Sequence, residues 1–171
     1  MNATPSSPVT PPSSPHGSNR PRLALLLRRA WYGLNQTFRR RIAGLGVTPD
    51  QFTILRWLGE HPEGLTQRVL ADLMASDPNT ITAILTRMQK AGLVERRAHA
   101  DDRRCNLIVL KDKGRTLHTK LQPLASGLQE QLLAAVPVAK QAEFLKQLES
   151  VCAALDADDA AQPPRTGRGK Q

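Results

Sequence analysis

The chain has 171 residues, 40% hydrophobic, 23% charged and only 4% aromatic, with a formal net charge of +9. That length gives room for one domain with a real core, and the positive balance favours a polyanionic partner. No apolar run approaches the roughly 18 residues of a membrane span, and so few aromatics argue against stacking platforms for single-stranded nucleic acid.

Residues 1–21 hold six prolines and five serines without apolar periodicity, the composition of a disordered leader. The aliphatic cluster Leu23 to Leu27 is interrupted by Arg28 and Arg29. It is too short for a secretory core and lies behind that leader, so a cytoplasmic protein is expected. After Leu155 an acidic patch (Asp156, Asp158, Asp159), then Pro163-Pro164, Arg165, Arg168 and Lys170 read as a second disordered segment, 157–171. The folded unit is expected over 22–156.

Six helices and one hairpin are predicted there. The first follows Pro21, with Leu23, Leu27, Trp31, Leu34, Phe38, Ile42 and Leu45 at steps of three and four, and arginines on its other faces. Thr48 caps the second, with Pro49 at its first position, Phe52, Leu55 and Leu58 inward, and an end near Gly59. Thr66 caps a third helix over 67–75. Asp77-Pro78 opens the fourth, which buries Ile81, Ile84, Leu85 and Met88 and closes at Gly92. A strand Leu93–Arg97, a loop 98–104 and a strand Cys105–Leu110 form the hairpin. Aliphatics on both faces of the second strand leave its inward face open. Two long helices follow. One, over 113–136, carries Leu117, Leu121, Leu124, Leu128, Leu132 and Val136, with a kink expected at Pro123. The other, over 138–156, carries Phe144, Leu148, Val151 and Leu155.

The stretch 65–110 therefore reads helix, tight turn, helix, strand, charged loop, strand. These are the parts of a winged helix-turn-helix, a device for reading duplex DNA. Ala71 is small enough for two crossed helices to approach, and Ala75 sits where the turn often carries glycine; if that position needs positive φ, alanine costs about 1 kcal/mol there. Side chains of the fourth helix that can point outward are Asn79, Thr80, Thr82, Ala83, Thr86 and Arg87. An Asn amide can pair with adenine and threonine methyls can touch thymine, whereas Arg87 and Lys90 suit phosphates. In the loop, Asp102 can hold Arg104 in a direction suited to a narrow minor groove, while Arg96, Arg97 and Arg103 grip the flanking backbone. The outer helices, 22–45 and 113–156, exceed what one reading head needs and are expected to pack against a second copy of the chain.

The run Gly92-Leu93-Val94-Glu95-Arg96-Arg97, then Asp102-Arg103-Arg104, the strand ending at Leu110, and Gly114-Arg115 resembles the winged-helix core of the MarR family of bacterial transcriptional regulators. The likeness extends over about 22–156. It implies a mainly α fold with a small β-hairpin (α+β), in which long terminal helices dimerise around the winged core. It further implies a homodimer that represses from a palindromic operator and releases DNA when a small aromatic or anionic effector binds. By position, the helix from Asp77 to Ala91 would enter the major groove, and Arg104, aimed by Asp102, the minor groove. Lys111 stands where the family often has a Thr or Ser cap, so Asp112 is expected to cap the next helix.

Other readings are a sequence-indifferent architectural DNA binder, a winged helix used for protein contacts, and a redox- or metal-responsive regulator. Cys105 and Cys152 show no pairing pattern and read as unpaired small hydrophobes. Neither stands early in the first helix, where the peroxide-sensing branch keeps its thiol. His61, His99 and His118 lack the local spacing of a zinc site with Cys105. No metal pair, phosphate-cradling glycine loop or nucleophile–base set points to an enzyme, and no cofactor is expected. Trp31 and Trp57 could line an effector crevice, but both fit core stripes.

Overall fold

The computed structural model describes residues 22–98 and 106–161. The expected leader, the loop residues 99–105 and the last ten residues lie outside them. In chain order the elements are α1 (Leu23–Arg41), α2 (Pro49–Glu60), β1 (Leu65–Thr66), α3 (Gln67–Leu73), α4 (Pro78–Lys90), β2 (Val94–Ala98), β3 (Asn106–Leu110), α5 (Asp112–Leu133) and α6 (Val138–Ala161). All six predicted helices form. The last runs five residues past its expected end.

The chain divides into two units, 1–34 and 35–171. The described part of the first is the beginning of α1, where Leu23, Leu25, Leu26, Trp31 and Tyr32 are all more than half exposed. Placing Trp31 in a core stripe is thus corrected. Within one chain it lies on the surface, 64% exposed.

The second unit owes its core to the stripes the sequence predicts. Phe38 and Ile42 from the end of α1 join Phe52, Ile54, Leu55 and Leu58 of α2, and the Phe38 and Phe52 rings meet at 4.9 Å in a tilted pair. Ile81, Ile84, Leu85 and Met88 supply the inner face of α4, and Leu121 and Leu128 that of α5. Trp57 packs partly buried against this core. Thr48 closes a reciprocal cap on α2: its hydroxyl accepts from Gln51 N at 3.3 Å and its own N–H donates to Gln51 Oε1 at 2.9 Å.

The hairpin belongs to a three-stranded antiparallel sheet of order β1-β3-β2. Val94 faces Leu110 and Ala98 faces Asn106, while Leu65 faces Ile108 on the other side. As the middle strand, β3 buries Ile108, Val109 and Leu110 alike, which settles the ambiguity left by its aliphatics. The strand β1 was not expected from sequence. Gly64 admits it: at φ +97° it lies so close to β3 that a Cβ would come within 2.6 Å of Val109 Cγ1.

One joint fastens α5 to the head. Lys111 N donates to Leu93 O at 3.0 Å, and Lys113 Nζ donates to Ala91 O, at the end of α4, at 2.8 Å. Gly114 packs so tightly that a Cβ there would meet Leu93 O at 2.2 Å. The expected cap by Asp112 does not form. Lys111 occupies the cap position without a side-chain bond, and Asp112 instead pairs with Arg115 at 2.5 Å. Further along, Arg41 donates to Leu124 O at 3.3 Å and also to Gln131 Oε1. None of the described side chains of α6 is buried, and Phe144, Leu145, Leu148 and Leu155 are exposed. Among the described residues, no helix is long and apolar enough to cross a membrane.

Candidate nucleic-acid interface

Helices α3 and α4 meet through the short turn 74–77. Ala71 is buried at their crossing, 4% exposed. Ala75 adopts φ +44°, the left-handed conformation that ends α3, and Ser76 N returns to Ala71 O at 3.0 Å. Alanine carries this geometry at a cost of about 1 kcal/mol relative to glycine.

Asp77 then starts α4. One carboxylate oxygen accepts from Asn79 N at 3.0 Å and Thr80 N at 2.9 Å, and the other accepts from the Thr80 hydroxyl. These bonds, the Thr80 hydroxyl foremost, hold the Asp77 carboxyl below its ordinary range. Pro78 fixes the first turn.

Each outward residue expected from the helical spacing is exposed: Asn79, Thr80, Thr82, Ala83, Thr86, Arg87 and Lys90. Their hydroxyls are partly committed. Thr82 donates to Pro78 O at 2.7 Å and Thr86 to Thr82 O at 2.8 Å, while Arg87 Nε reaches Ala83 O at 3.2 Å. Threonines bound in this way offer their methyl groups and remaining lone pairs to a groove.

On β2, Arg96 and Arg97 are exposed. Arg97 is partnered by Glu95 at 2.8 Å, which discounts it as a phosphate contact relative to Arg96. Asp102, Arg103 and Arg104 lie outside the described residues, as do His99 and Cys105, so the expected aiming of Arg104 belongs to that segment.

One residue was missed by the sequence reading. Gln67, first in α3, donates from Nε2 to Thr82 Oγ1 at 2.6 Å and to Pro78 O at 3.4 Å, while Arg96 Nη2 donates to its Oε1 at 3.4 Å. The amide thus links the reading helix to the wing strand. No pattern of spacing marks it, because the link exists only once three elements have folded together.

Among the described residues, clefts also lie away from this surface. One of about 260 Å³, between the end of α2, β3 and the start of α5, is lined by Leu58, Gly59, Pro62, Leu110, Arg115, His118 and Thr119. His118 stacks on Phe52 with ring centroids 6.3 Å apart, and burial lowers its pKa. Another, about 430 Å³, sits at the α5–α6 turn. Neither Trp31 nor Trp57 lines either cleft. Among the described residues, no three His, Cys, Asp or Glu side chains gather as metal donors, and Cys152 is exposed and unpaired.

Comparison with known proteins gives a consistent result. The sequence profile of the MarR family matches residues 45–104. The organic hydroperoxide resistance transcriptional regulator of Bacillus subtilis is 30% identical over 129 residues, 75% of this chain and 82% of its own. Among solved structures, the transcriptional repressor CouR of Rhodococcus jostii, bound to a 23-mer DNA duplex, superposes with a TM-score of 0.69 at 25% identity, covering 76% of this chain and 92% of its own. The Mycobacterium tuberculosis protein Rv2887, in complex with p-aminosalicylic acid, superposes with a TM-score of 0.60 at 27% identity, covering 75% and 97%.

Proposed function

We propose a function from one premise: the chain belongs to the MarR family of transcriptional regulators. It is a DNA-binding transcriptional regulator whose helix α4 reads the major groove and whose wing, carried by β2 and β3, reaches the neighbouring groove. The observation that carries this reading is the division of α4. Ile81, Ile84, Leu85 and Met88 are buried, while Asn79, Thr80, Thr82, Ala83, Thr86, Arg87 and Lys90 are all exposed, and Gln67 ties Thr82 to Arg96 of β2. Asn79 and the threonine methyls suit base edges; Arg87, Lys90, Arg96 and Arg97 suit phosphates. Arg104, directed by Asp102, is assigned to the minor groove, with Arg103 on the backbone.

The working form is a homodimer on a palindromic operator, where it acts as a repressor in the cytoplasm. Support comes from the apolar residues that a single chain leaves exposed at the start of α1 and along α6. No enzymatic activity is assigned. A small aromatic or anionic effector is expected to relieve repression, as the p-aminosalicylic acid complex of Rv2887 suggests. The cleft beside Arg115 and His118 has room for a compound of that size.

A mobility shift with the duplex upstream of the protein's own gene, against an unrelated competitor, tests this reading. A specific retarded complex, weakened by Arg104→Ala, is expected. Equal retention of the competitor would instead make the protein a sequence-indifferent architectural binder.

A further inference from the structure

We propose that Gln67 is a positioning residue for DNA recognition, locking Thr82 of the reading helix and Arg96 of the wing strand into one frame. The inference rests on the DNA-reading function above and adds a residue to it.

The bonds form a directed chain. The Arg96 guanidinium donates to Gln67 Oε1 (3.4 Å), Gln67 Nε2 donates to Thr82 Oγ1 (2.6 Å), and the Thr82 hydroxyl donates in turn to Pro78 O (2.7 Å). Only one orientation of the amide satisfies it. Turned over, its oxygen would face a hydroxyl that already donates to Pro78 O, and its NH₂ would face the guanidinium, which has no acceptor. Glutamine therefore suits this position for a definite reason: it must accept on one side and donate on the other. Lysine or arginine offers donors alone, and glutamate accepts from Arg96 but cannot donate to Thr82.

All four groups lie at or near the surface. Bonds between exposed partners add little to folding stability, because water replaces them at small cost. In a DNA complex the same bonds act differently. They fix the direction of a backbone-gripping cation relative to the groove-facing side of α4 before the duplex arrives, so less freedom is lost on binding. Removing the amide should therefore weaken specific binding while leaving the fold intact.

The test measures fluorescence anisotropy of the full chain on its specific duplex and on an unrelated duplex. It compares wild type, Gln67→Ala, Arg96→Ala, the double variant and Gln67→Lys, with thermal midpoints in parallel. Gln67→Ala should weaken specific binding about fivefold, change non-specific binding less than about twofold and move the midpoint by no more than about 2 °C. In the Arg96→Ala background the same change should cost clearly less, since part of its role is to hold that guanidinium. Gln67→Lys separates positioning from direct phosphate contact: an added cation that touched phosphate would strengthen binding, whereas one that repels Arg96 weakens specific binding. Unchanged specific affinity in Gln67→Ala, additivity of the two alanine changes, or tighter specific binding by Gln67→Lys would overturn the proposal. Wild type that fails to prefer its own duplex would instead defeat the underlying DNA-reading function.

Discussion

Replacing Gly114 by alanine tests the joint between the reading head and α5. The new Cβ would stand 2.2 Å from Leu93 O, 3.1 Å from Leu93 C and 3.3 Å from Leu110 Cδ2. An ordinary carbon–oxygen contact is about 3.3 Å, so the first turn of α5 must retreat by about 1 Å. That retreat stretches the bond from Lys111 N to Leu93 O, now 3.0 Å, out of hydrogen-bonding range. Overpacking of this kind costs about 2 kcal/mol and the backbone bond about 1. Alanine returns about 1 through its higher helix propensity. The net loss is about 2 kcal/mol, or about 7 °C in thermal midpoint for a domain of this size. Gly127, in the same helix, supplies the control. Its nearest neighbour would be Arg41 Nη1 at 3.8 Å, so Gly127→Ala should raise the midpoint by about 2–4 °C. Thermal unfolding followed by far-UV circular dichroism at one fixed chain concentration reads both. A Gly114→Ala midpoint within about 2 °C of wild type, or a matching fall for Gly127→Ala, would refute the reasoning.

Four other outcomes are expected. Burial lowers the pKa of His118, against the Glu60 carboxylate and with help from Arg56. As pH falls below the ordinary value of 6.5, the unfolded chain therefore takes up the proton first, and stability declines until the lower folded value is passed. His118→Gln should flatten that decline in thermal midpoints taken from pH 7.5 down to about 5. Met88 is fully buried on the inner face of α4, so Met88→Ala should cost about 2–5 kcal/mol in urea unfolding; a loss under 1 would contradict its place in the core. Arg87→Ala should weaken binding to all duplexes alike and reduce the slope of log affinity against log salt by about 1. Light scattering should return twice the 18.8 kDa chain mass, and a monomer at micromolar concentration would contradict the assigned dimer.

Where a short stretch of chain decides its own conformation, the fold was legible in the sequence. Thr48 and Asp77 cap the helices expected of them, and Gly92 (φ +72°) and Ala75 (φ +44°) adopt the left-handed conformations their positions suggest. The outward face of α4 follows from helical periodicity alone. Features made by distant segments were not legible. The two-residue strand β1 carries no alternation to detect, and it exists because Gly64 lets the backbone press against β3. Asp112 looked like a cap, yet Arg115 one turn later takes its carboxylate. The stripe at the start of α1 has core periodicity, but Trp31 within it is 64% exposed. Gln67 gave no signal because its partners lie 15 and 29 positions away.

The fastening of α5 has a mechanical consequence. With Lys111 and Lys113 bonded to Leu93 and Ala91 between α4 and β2, and Gly114 packed against Leu93, little slack separates the long helix from the reader. Its 22 residues span about 33 Å of helix. Pivoting such a lever by about 6° sweeps its far end through about 3.4 Å, the rise of one base step. In a symmetric pair, a slight change in arm pitch would therefore be scored against the distance between half-sites as a whole-step error. A molecule wedged under the arm need only nudge it to spoil the match.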